Sequence, residues 1–193
     1  MATSVPVPSR RRAELLERAY QYALEHGVAD LSLRPLAAAI DSSPRVLLFL
    51  FGSKADLVQA LLARAREDEL ELLGRVRAAS GEGEIAVVAS ELWHWLSAED
   101  HHALLKLWVE GYARSLVDPS GPWGGFAEQT VRDWLEVLAE AEPAEAREEP
   151  AGQGERTLVL AVLRGAVLDL LATGDRERTT AAVDRHLATL RAA

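Results

Sequence analysis

The stretch from residue 32 to residue 57, SLRPLAAAIDSSPRVLLFLFGSKADL, decides the fold of this 193-residue chain. Ser32 stands at an N-cap position, and Pro35 falls in the first helical turn, where its missing N–H would have no intrahelical partner. Ser43-Pro44 restarts a helix with a cap followed by a proline. Gly52 is a C-terminal stop. The pattern predicts two short helices joined by a tight turn, which is a helix-turn-helix.

The second of these helices is very short and is predicted from about Pro44 to Phe51. A short helix with an exposed N-terminal turn is typical of an element that enters a DNA major groove. Ser53 and Asp56 form a capping-box-like start for a third element, an amphipathic run that continues to about Ala79. The segment therefore predicts a DNA-reading motif followed directly by a long helix.

These residues resemble the N-terminal domain of the TetR family of bacterial one-component transcriptional regulators. The resemblance rests on Glu25-His26-Gly27 at the end of the first helix, Leu31-Ser32-Leu33-Arg34, Ser43 at the start of the recognition helix, and Phe51-Gly52-Ser53-Lys54-Ala55-Asp56-Leu57. Residues 168–175, LDLLATGD, resemble the break between the last two long helices of such regulators. The resemblance implies an all-α protein with a three-helix DNA-binding domain at residues 1–52 and a larger helical effector-binding and dimerisation domain at residues 53–193.

Candidate DNA contacts follow from the motif and the resemblance together. Arg10-Arg11-Arg12 is predicted to form a short basic arm before the first helix and to contact phosphates, although the same residues could simply form a solvated terminus. The full set of candidates is Arg10, Arg11, Arg12, Arg34, Ser42, Ser43, Pro44, Arg45, Leu48, Phe49 and Lys54.

The recognition helix departs from the family pattern. Members usually carry a tyrosine, and often a histidine, near its end, whereas this chain reads LLFL at residues 47–50. Leu48 and Phe49 cannot donate hydrogen bonds. Either they pack against neighbouring helices and thymine methyl groups, or DNA binding is weak or lost. The second alternative would leave a helical small-molecule-binding protein whose DNA-reading helix has lost function.

Composition and charge are consistent with a cytoplasmic regulator. The net charge is −9, but six arginines exceed five acids in residues 1–52, so that this part carries +1 and the remainder −10. The absence of cysteine excludes disulfides, thiolate nucleophiles and zinc–thiolate sites, and indicates a reducing compartment. No apolar run approaches 18 residues, and residues 1–8 lack an apolar core segment, which argues against membrane spanning and secretion.

The second half of the chain reads as helices with aromatic side chains on their apolar faces. On the helix from Ile85 to Leu96, the apolar stripe predicts that Trp95 points inward. Three tryptophans and a tyrosine, with Gly111 and Ser115 leaving space among them, predict an apolar pocket, and the alternative is a filled aromatic core. The family resemblance implies effector binding here, by an apolar or aromatic small molecule. The candidate ligand-binding residues are Leu92, Trp95, Leu96, Leu104, Trp108, Tyr112, Val131, Trp134 and Asp169.

The helix predicted from Arg156 to Ala172 is apolar nearly all round, so it must be covered on two sides. Its large-residue face consists of Leu160, Leu163, Val167 and Leu170, and its small-residue face consists of Ala161, Gly165, Asp169 and Ala172. With the final helix, from about Arg178, it is predicted to form half of a four-helix homodimer interface, as the family resemblance also implies. The candidate interface residues are Leu158, Ala161, Val162, Gly165, Asp169, Val183, Leu187 and Leu190.

Catalytic and metal sites are not indicated. Adjacent histidines such as His101 and His102 point about 100° apart on a helix, so they do not form the i, i+4 pair that binds metal. A metal site from His94, Glu99, Asp100, His101 and His102 is disfavoured, and no nucleophile, Walker or dinucleotide motif occurs. The sequence thus predicts no enzyme and no cofactor, but a ligand-responsive repressor that binds a double-stranded DNA operator as a homodimer.

Overall fold

The computed structural model describes residues 7–28, 30–79, 85–142 and 147–191. Throughout these ranges the regular elements are helices, without a strand, which confirms the predicted all-α class. A short 3₁₀ turn, Glu99–His101, precedes α6. The helices are α1 (Val7–His26), α2 (Leu33–Ala39), α3 (Pro44–Phe51), α4 (Lys54–Ala79), α5 (Ile85–Leu96), α6 (His102–Val117), α7 (Phe126–Glu140), α8 (Pro150–Thr173) and α9 (Arg176–Leu190).

Helix boundaries agree with the sequence prediction in the helix-turn-helix and differ from it nearer the C-terminus. α8 begins at Pro150, ahead of the predicted Arg156, because proline is a residue type suited to the first helical turn. The last helix begins at Arg176 instead of Arg178, since the Asp175 side chain accepts a hydrogen bond from the Arg178 N–H at 3.0 Å and caps it.

The chain packs as two compact units. Unit 1 consists of Met1–Glu67 and Lys106–Ala127, and unit 2 consists of Asp68–Leu105 and Glu128–Ala193. Both α4 and α6 therefore contribute residues to each unit. Because these units are defined by packing, the functional boundary expected between residues 52 and 53 remains a prediction.

Unit 1 contains the helix-turn-helix. In it α1 contacts α2 and α3, and α2 contacts α3. Leu15 of α1, Leu36 of α2 and Leu47 of α3 are almost fully excluded from solvent. The α6 part of the unit meets the end of α1, where the Val28 N–H donates to the Glu110 carboxylate at 3.0 Å. The three N-terminal helices thus form one buried core that holds α3 in place.

Unit 2 is built around α5, α8 and α9, which contact one another pairwise. Its core is aliphatic with buried tryptophans, and the large-residue face predicted for α8 lies within it: Leu160, Leu163, Val167 and Leu170 are all buried. The Trp93 indole N–H donates to the Thr180 hydroxyl at 3.1 Å and so connects α5 to α9.

None of the helices in the described ranges is by itself long and apolar enough to cross a membrane. The pair Pro44–Phe51 and Lys54–Arg75 meets the length and composition test only when joined, and the two helices are bent by 71° relative to each other.

Candidate nucleic-acid interface

The helix-turn-helix is closed by hydrogen bonds that the local sequence supplies. Ser43 caps α3 by accepting from the Val46 N–H at 3.3 Å, and the Gly52 N–H donates to the Leu48 carbonyl at 2.9 Å. Gly52 has φ +88°, a conformation that favours glycine. A capping box then starts α4: the Ser53 N–H donates to Asp56 at 3.0 Å, and the Asp56 N–H donates to Ser53 at 3.1 Å. Both ends of α3 are therefore defined.

The solvent-facing side of α3 carries Arg45, Leu48 and Phe49, while Leu47 and Phe51 are buried. Phe49 is 84% exposed and Leu48 is 42% exposed. Phe49 therefore does not pack against neighbouring helices, which removes one part of the first alternative given for it above. With Val46, which is 37% exposed, the side chains of this helix that are free to meet a partner are one guanidinium and three apolar groups.

The basic triplet lies inside α1 and not in an arm before it, which corrects the sequence prediction. Arg10 and Arg11 lie 3.1 and 3.7 Å from the Glu14 carboxylate, and they remain solvent-accessible. The Arg12 guanidinium lies 4.9 Å from the centre of the Phe51 ring, so it connects α1 to α3. These intrahelical and cation–π contacts give the three side chains defined positions on a helix.

The other predicted DNA contacts divide into exposed and structural residues. Arg34 on α2 and Lys54 at the start of α4 are exposed. Ser43 and Pro44 form the start of α3, and the half-buried Ser42 has a hydroxyl oxygen that finds no hydrogen-bond partner among the described residues. The two serines and the proline therefore shape the turn, and the cations are the groups available to phosphates.

The predicted ligand-binding residues are divided between the units. Leu92, Trp95, Leu96, Val131 and Trp134 belong to the core cluster of unit 2 or pack against it. Leu104 is a half-buried residue of unit 2, whereas Trp108 and Tyr112 belong to unit 1, where their rings are 5.5 Å apart.

Trp93, and not Trp95, is the tryptophan of α5 that is directed fully inward. Trp93 is buried, whereas Trp95 is half-buried at the margin of the core. A simple apolar stripe missed this because α5 is covered by both α8 and α9, so its buried arc is wider than one stripe. The Trp95 ring stacks on His101 with a centroid distance of 3.8 Å.

The space expected beside Gly111 is filled. A Cβ atom at Gly111 would lie 2.7 Å from the Trp123 ring, and 3.1 Å from Phe126. Ser115 is equally occupied, because its hydroxyl accepts from the Ala127 N–H at 3.2 Å in the first turn of α7. Trp123 lies in the loop between α6 and α7, and helical periodicity could not identify it because the loop has no periodic pattern.

Two carboxylates have contacts that the sequence did not predict. Glu69, which was not predicted, is buried in unit 2 and accepts a hydrogen bond from the Trp134 indole N–H at 2.5 Å. Asp169, predicted to bind ligand or to pair across an interface, accepts two 2.7 Å hydrogen bonds from Arg178 on the outside of α8 and α9. Hydrogen bonding from Arg178 lowers the pKa of Asp169, and the pairing raises that of Arg178. A ligand role for Asp169 is therefore not supported.

Several residues of α8 and α9 that were predicted to lie in a dimer interface are packed within the chain. Val183 and Leu187 are buried in the core of unit 2, and Val162 and Leu190 pack against that core, so these four side chains already have partners within the chain. On α8, exposed residues form a stripe with alternating spacings of three and four positions: Leu158, Ala161, Gly165, Leu168 and Ala172. An added Cβ at Gly165 would meet no atom within 4 Å.

Of the two adjacent histidines at the acidic turn, His101 has a local partner, whereas the Nε2 atom of His102 is buried without a hydrogen-bond partner among the described residues. The Nδ1 atom of His101 lies 2.8 Å from the Trp95 carbonyl oxygen, and His94 is exposed. In the described ranges, no three His, Cys, Asp or Glu side chains are grouped so as to hold a metal ion.

Comparisons with known proteins identify the fold. No protein-family model and no curated protein matches the sequence. Among solved structures, the chain is similar to the multidrug-binding protein EbrR in complex with proflavin, with 25% identity, coverage of 91% of this chain and 98% of that one, and a TM-score of 0.63.

Two further solved structures extend the comparison. A TetR-family transcriptional regulator from Cytophaga hutchinsonii is 14% identical over 97% of this chain and 98% of that one, with a TM-score of 0.77. SmeT, the repressor of the Stenotrophomonas maltophilia multidrug efflux pump SmeDEF, is 19% identical over 92% and 89%, with a TM-score of 0.66. The resemblance inferred from residues 25–57 is thereby confirmed at the level of structure, and the chain has the fold of the TetR-family transcriptional regulators.

Proposed function

We propose that this protein is a sequence-specific DNA-binding transcriptional regulator that uses α3 as its recognition helix. The observation that carries the proposal is the exposed face of α3. Arg45 lies in the first turn of a helix that is capped at both ends, and it is free to contact base edges or phosphates. Exposed Arg34 and Lys54, on the helices immediately before and after α3, add positive charge for the DNA backbone.

The test is a selection from a pool of randomised DNA duplexes with the full chain, followed by gel shifts that include the DNA flanking its own gene. A regulator of this kind enriches a defined sequence and shifts it at protein concentrations at which scrambled duplexes stay free. If no sequence is enriched and no duplex is shifted, the DNA-binding proposal fails. The small-molecule-binding alternative, in which α3 no longer reads DNA, would then be favoured.

The regulator acts as a homodimer in this proposal, with the exposed stripe of α8 as the contact surface. Leu158 and Leu168 are 53% and 47% exposed, and small residues lie between them along the helix. The small residues Ala161 and Gly165 allow a second helix to approach closely, and the exposed leucines that flank them supply apolar surface to bury. Two copies would place two recognition helices on successive major grooves of one operator.

The effector in this proposal is an aromatic small molecule, and its binding releases DNA by favouring a different conformation of the dimer. Trp95 is half-buried at the margin of the unit 2 core, and buried Glu69 contacts Trp134 within the same unit. An aromatic side chain at the margin of a core can stack on a flat aromatic ligand. The solved structure of EbrR contains such a compound, proflavin, and this makes proflavin the first probe.

Titration with proflavin tests the effector proposal through tryptophan fluorescence and thermal unfolding. We expect quenching and a higher melting temperature, because a ligand that binds only the folded state stabilises it. Trp95→Ala in unit 2 and Trp108→Ala in unit 1 locate the site, since the variant that lacks a binding residue loses the response. Val87→Ala, at an exposed position of α5, is the control. No response of the wild type to proflavin or to a library of aromatic compounds would indicate a ligand-independent regulator.

A further inference from the structure

Three large apolar side chains of α3 are exposed to solvent. Phe49 is 84% exposed, Leu48 is 42% exposed and Val46 is 37% exposed, all within eight residues. A single exposed apolar residue is common in proteins, but a cluster of three on one short helix marks an interaction surface.

The charge around this cluster indicates which partner it fits. Positions 45 and 49 are separated by four residues, so Arg45 and Phe49 lie within about 40° of each other around the helix. The cation and the ring therefore approach a partner together. Such a partner must carry negative charge near Arg45 and must also offer an apolar group within contact distance of Phe49. Duplex DNA meets both requirements, because the thymine C5-methyl is the apolar group that its major groove displays.

We infer that Phe49 is a specificity-determining residue that recognises the C5-methyl group of a thymine in the operator. The inference rests on the proposed function, since it requires that α3 enters the major groove. A phenyl ring can neither donate nor accept a conventional hydrogen bond, so on the groove floor it discriminates by apolar contact alone. Arg45, one turn earlier, would select its own base or phosphate independently.

Replacement of thymine by uracil tests this inference, because it removes the methyl group and leaves the base pairing unchanged. Duplexes selected by the wild-type full chain are resynthesised with uracil at one thymine at a time, and affinities are measured by fluorescence anisotropy. We expect one thymine in each half-site at which uracil weakens wild-type binding about fourfold, as the loss of one buried methyl-sized group predicts.

Phe49→Ala is the decisive variant. Because Phe49 is exposed, its replacement removes few contacts within the chain and should leave the fold intact. It should bind the thymine and uracil duplexes equally well at the position where the wild type discriminates. Leu116→Ala, which also removes a largely exposed apolar side chain from unit 1, should discriminate like the wild type. Measurements at low salt keep weakened variants within range, since phosphate contacts strengthen as salt falls.

Two results would overturn the inference while the regulator proposal stands. One is a wild type that enriches an operator but tolerates uracil at every thymine. The other is Phe49→Ala that retains the full wild-type discrimination, which would transfer the contact to a different side chain. Failure of the wild type to enrich any duplex would instead overturn the proposed function, and this inference with it.

Discussion

Arg45 and Arg11 are both exposed arginines of unit 1, but they occupy different positions relative to the recognition helix. Arg45 lies in the first turn of α3, where side chains reach base edges. Arg11 lies on α1 beside Glu14, so it is suited to the phosphate backbone and is partly neutralised by its neighbour. In the proposed function, Arg45 therefore serves base recognition and Arg11 serves general electrostatic attraction.

We predict that Arg45→Ala weakens binding to the selected operator by about 1–3 kcal/mol, the range for a good base contact, and reduces discrimination at one position. Arg11→Ala is the comparison, and it should weaken all duplexes alike and flatten the dependence of affinity on salt. Both effects are measured by anisotropy titrations at several salt concentrations. Unchanged operator affinity in Arg45→Ala would remove α3 from the binding surface.

The connection between α8 and α9 is an element-scale feature with a pH dependence. Asp169 on α8 accepts two hydrogen bonds from Arg178 on α9, next to the turn at Gly174 and Asp175. Because the pKa of Asp169 is lowered in the folded chain, its contribution to stability is present above the pKa of the unfolded state. That contribution is lost as the pH falls through the folded value.

We predict that Asp169→Asn lowers the melting temperature at pH 7 and that the difference from the wild type closes as the pH falls below about 4. Thermal unfolding followed by circular dichroism at a series of pH values measures this. Asp184→Asn, at an exposed position on α9, is the control and should behave like the wild type. A difference that persists unchanged at low pH would show that the ion pair is not its cause.

The packing of Trp123 on α6 is a second element-scale feature. Gly111 is required there by close approach and not by backbone conformation, because a Cβ would lie 2.7 Å from the Trp123 ring. We predict that Gly111→Ala destabilises the chain by about 1–3 kcal/mol, as overpacking does. Gly74→Ala on α4 has open space around the added Cβ and should be neutral or stabilising, since alanine favours helices. Denaturant unfolding of both variants provides the comparison, and equal stability would contradict the packing argument.

At the scale of the whole molecule, the proposed dimer makes DNA recognition depend on assembly. We predict that Gly165→Leu yields a monomer in size-exclusion chromatography with light scattering, because a bulky side chain separates paired helices. The folded chain should tolerate the change, since an added Cβ there meets no atom within 4 Å. Gly74→Leu, at another open helical glycine, should remain dimeric. A wild type that is monomeric at micromolar concentration would exclude the dimer and the mechanism with two half-sites.

The sequence by itself determined the elements whose stabilising contacts are local. The Ser43 cap, the Gly52 stop and the Ser53–Asp56 capping box join residues no more than four positions apart. Such hydrogen bonds depend on neighbours in sequence, so the limits of α3 and the helix-turn-helix could be predicted without knowledge of the packing. The division of α8 into large and small faces was predictable for the same reason, because helical periodicity is a local property.

Only the tertiary structure decided which faces were covered and by what. Trp93 is buried because two helices cover α5, and Trp123 fills the space at Gly111 from a loop that carries no periodic signal. Asp169 pairs with Arg178 because the turn after α8 brings α9 beside it. Val183 and Leu187 enter the core of unit 2 instead of an interface. In each case the partner lies on another helix or in a loop, so the contact depends on the arrangement of the packed elements, which the pattern of one helix does not contain.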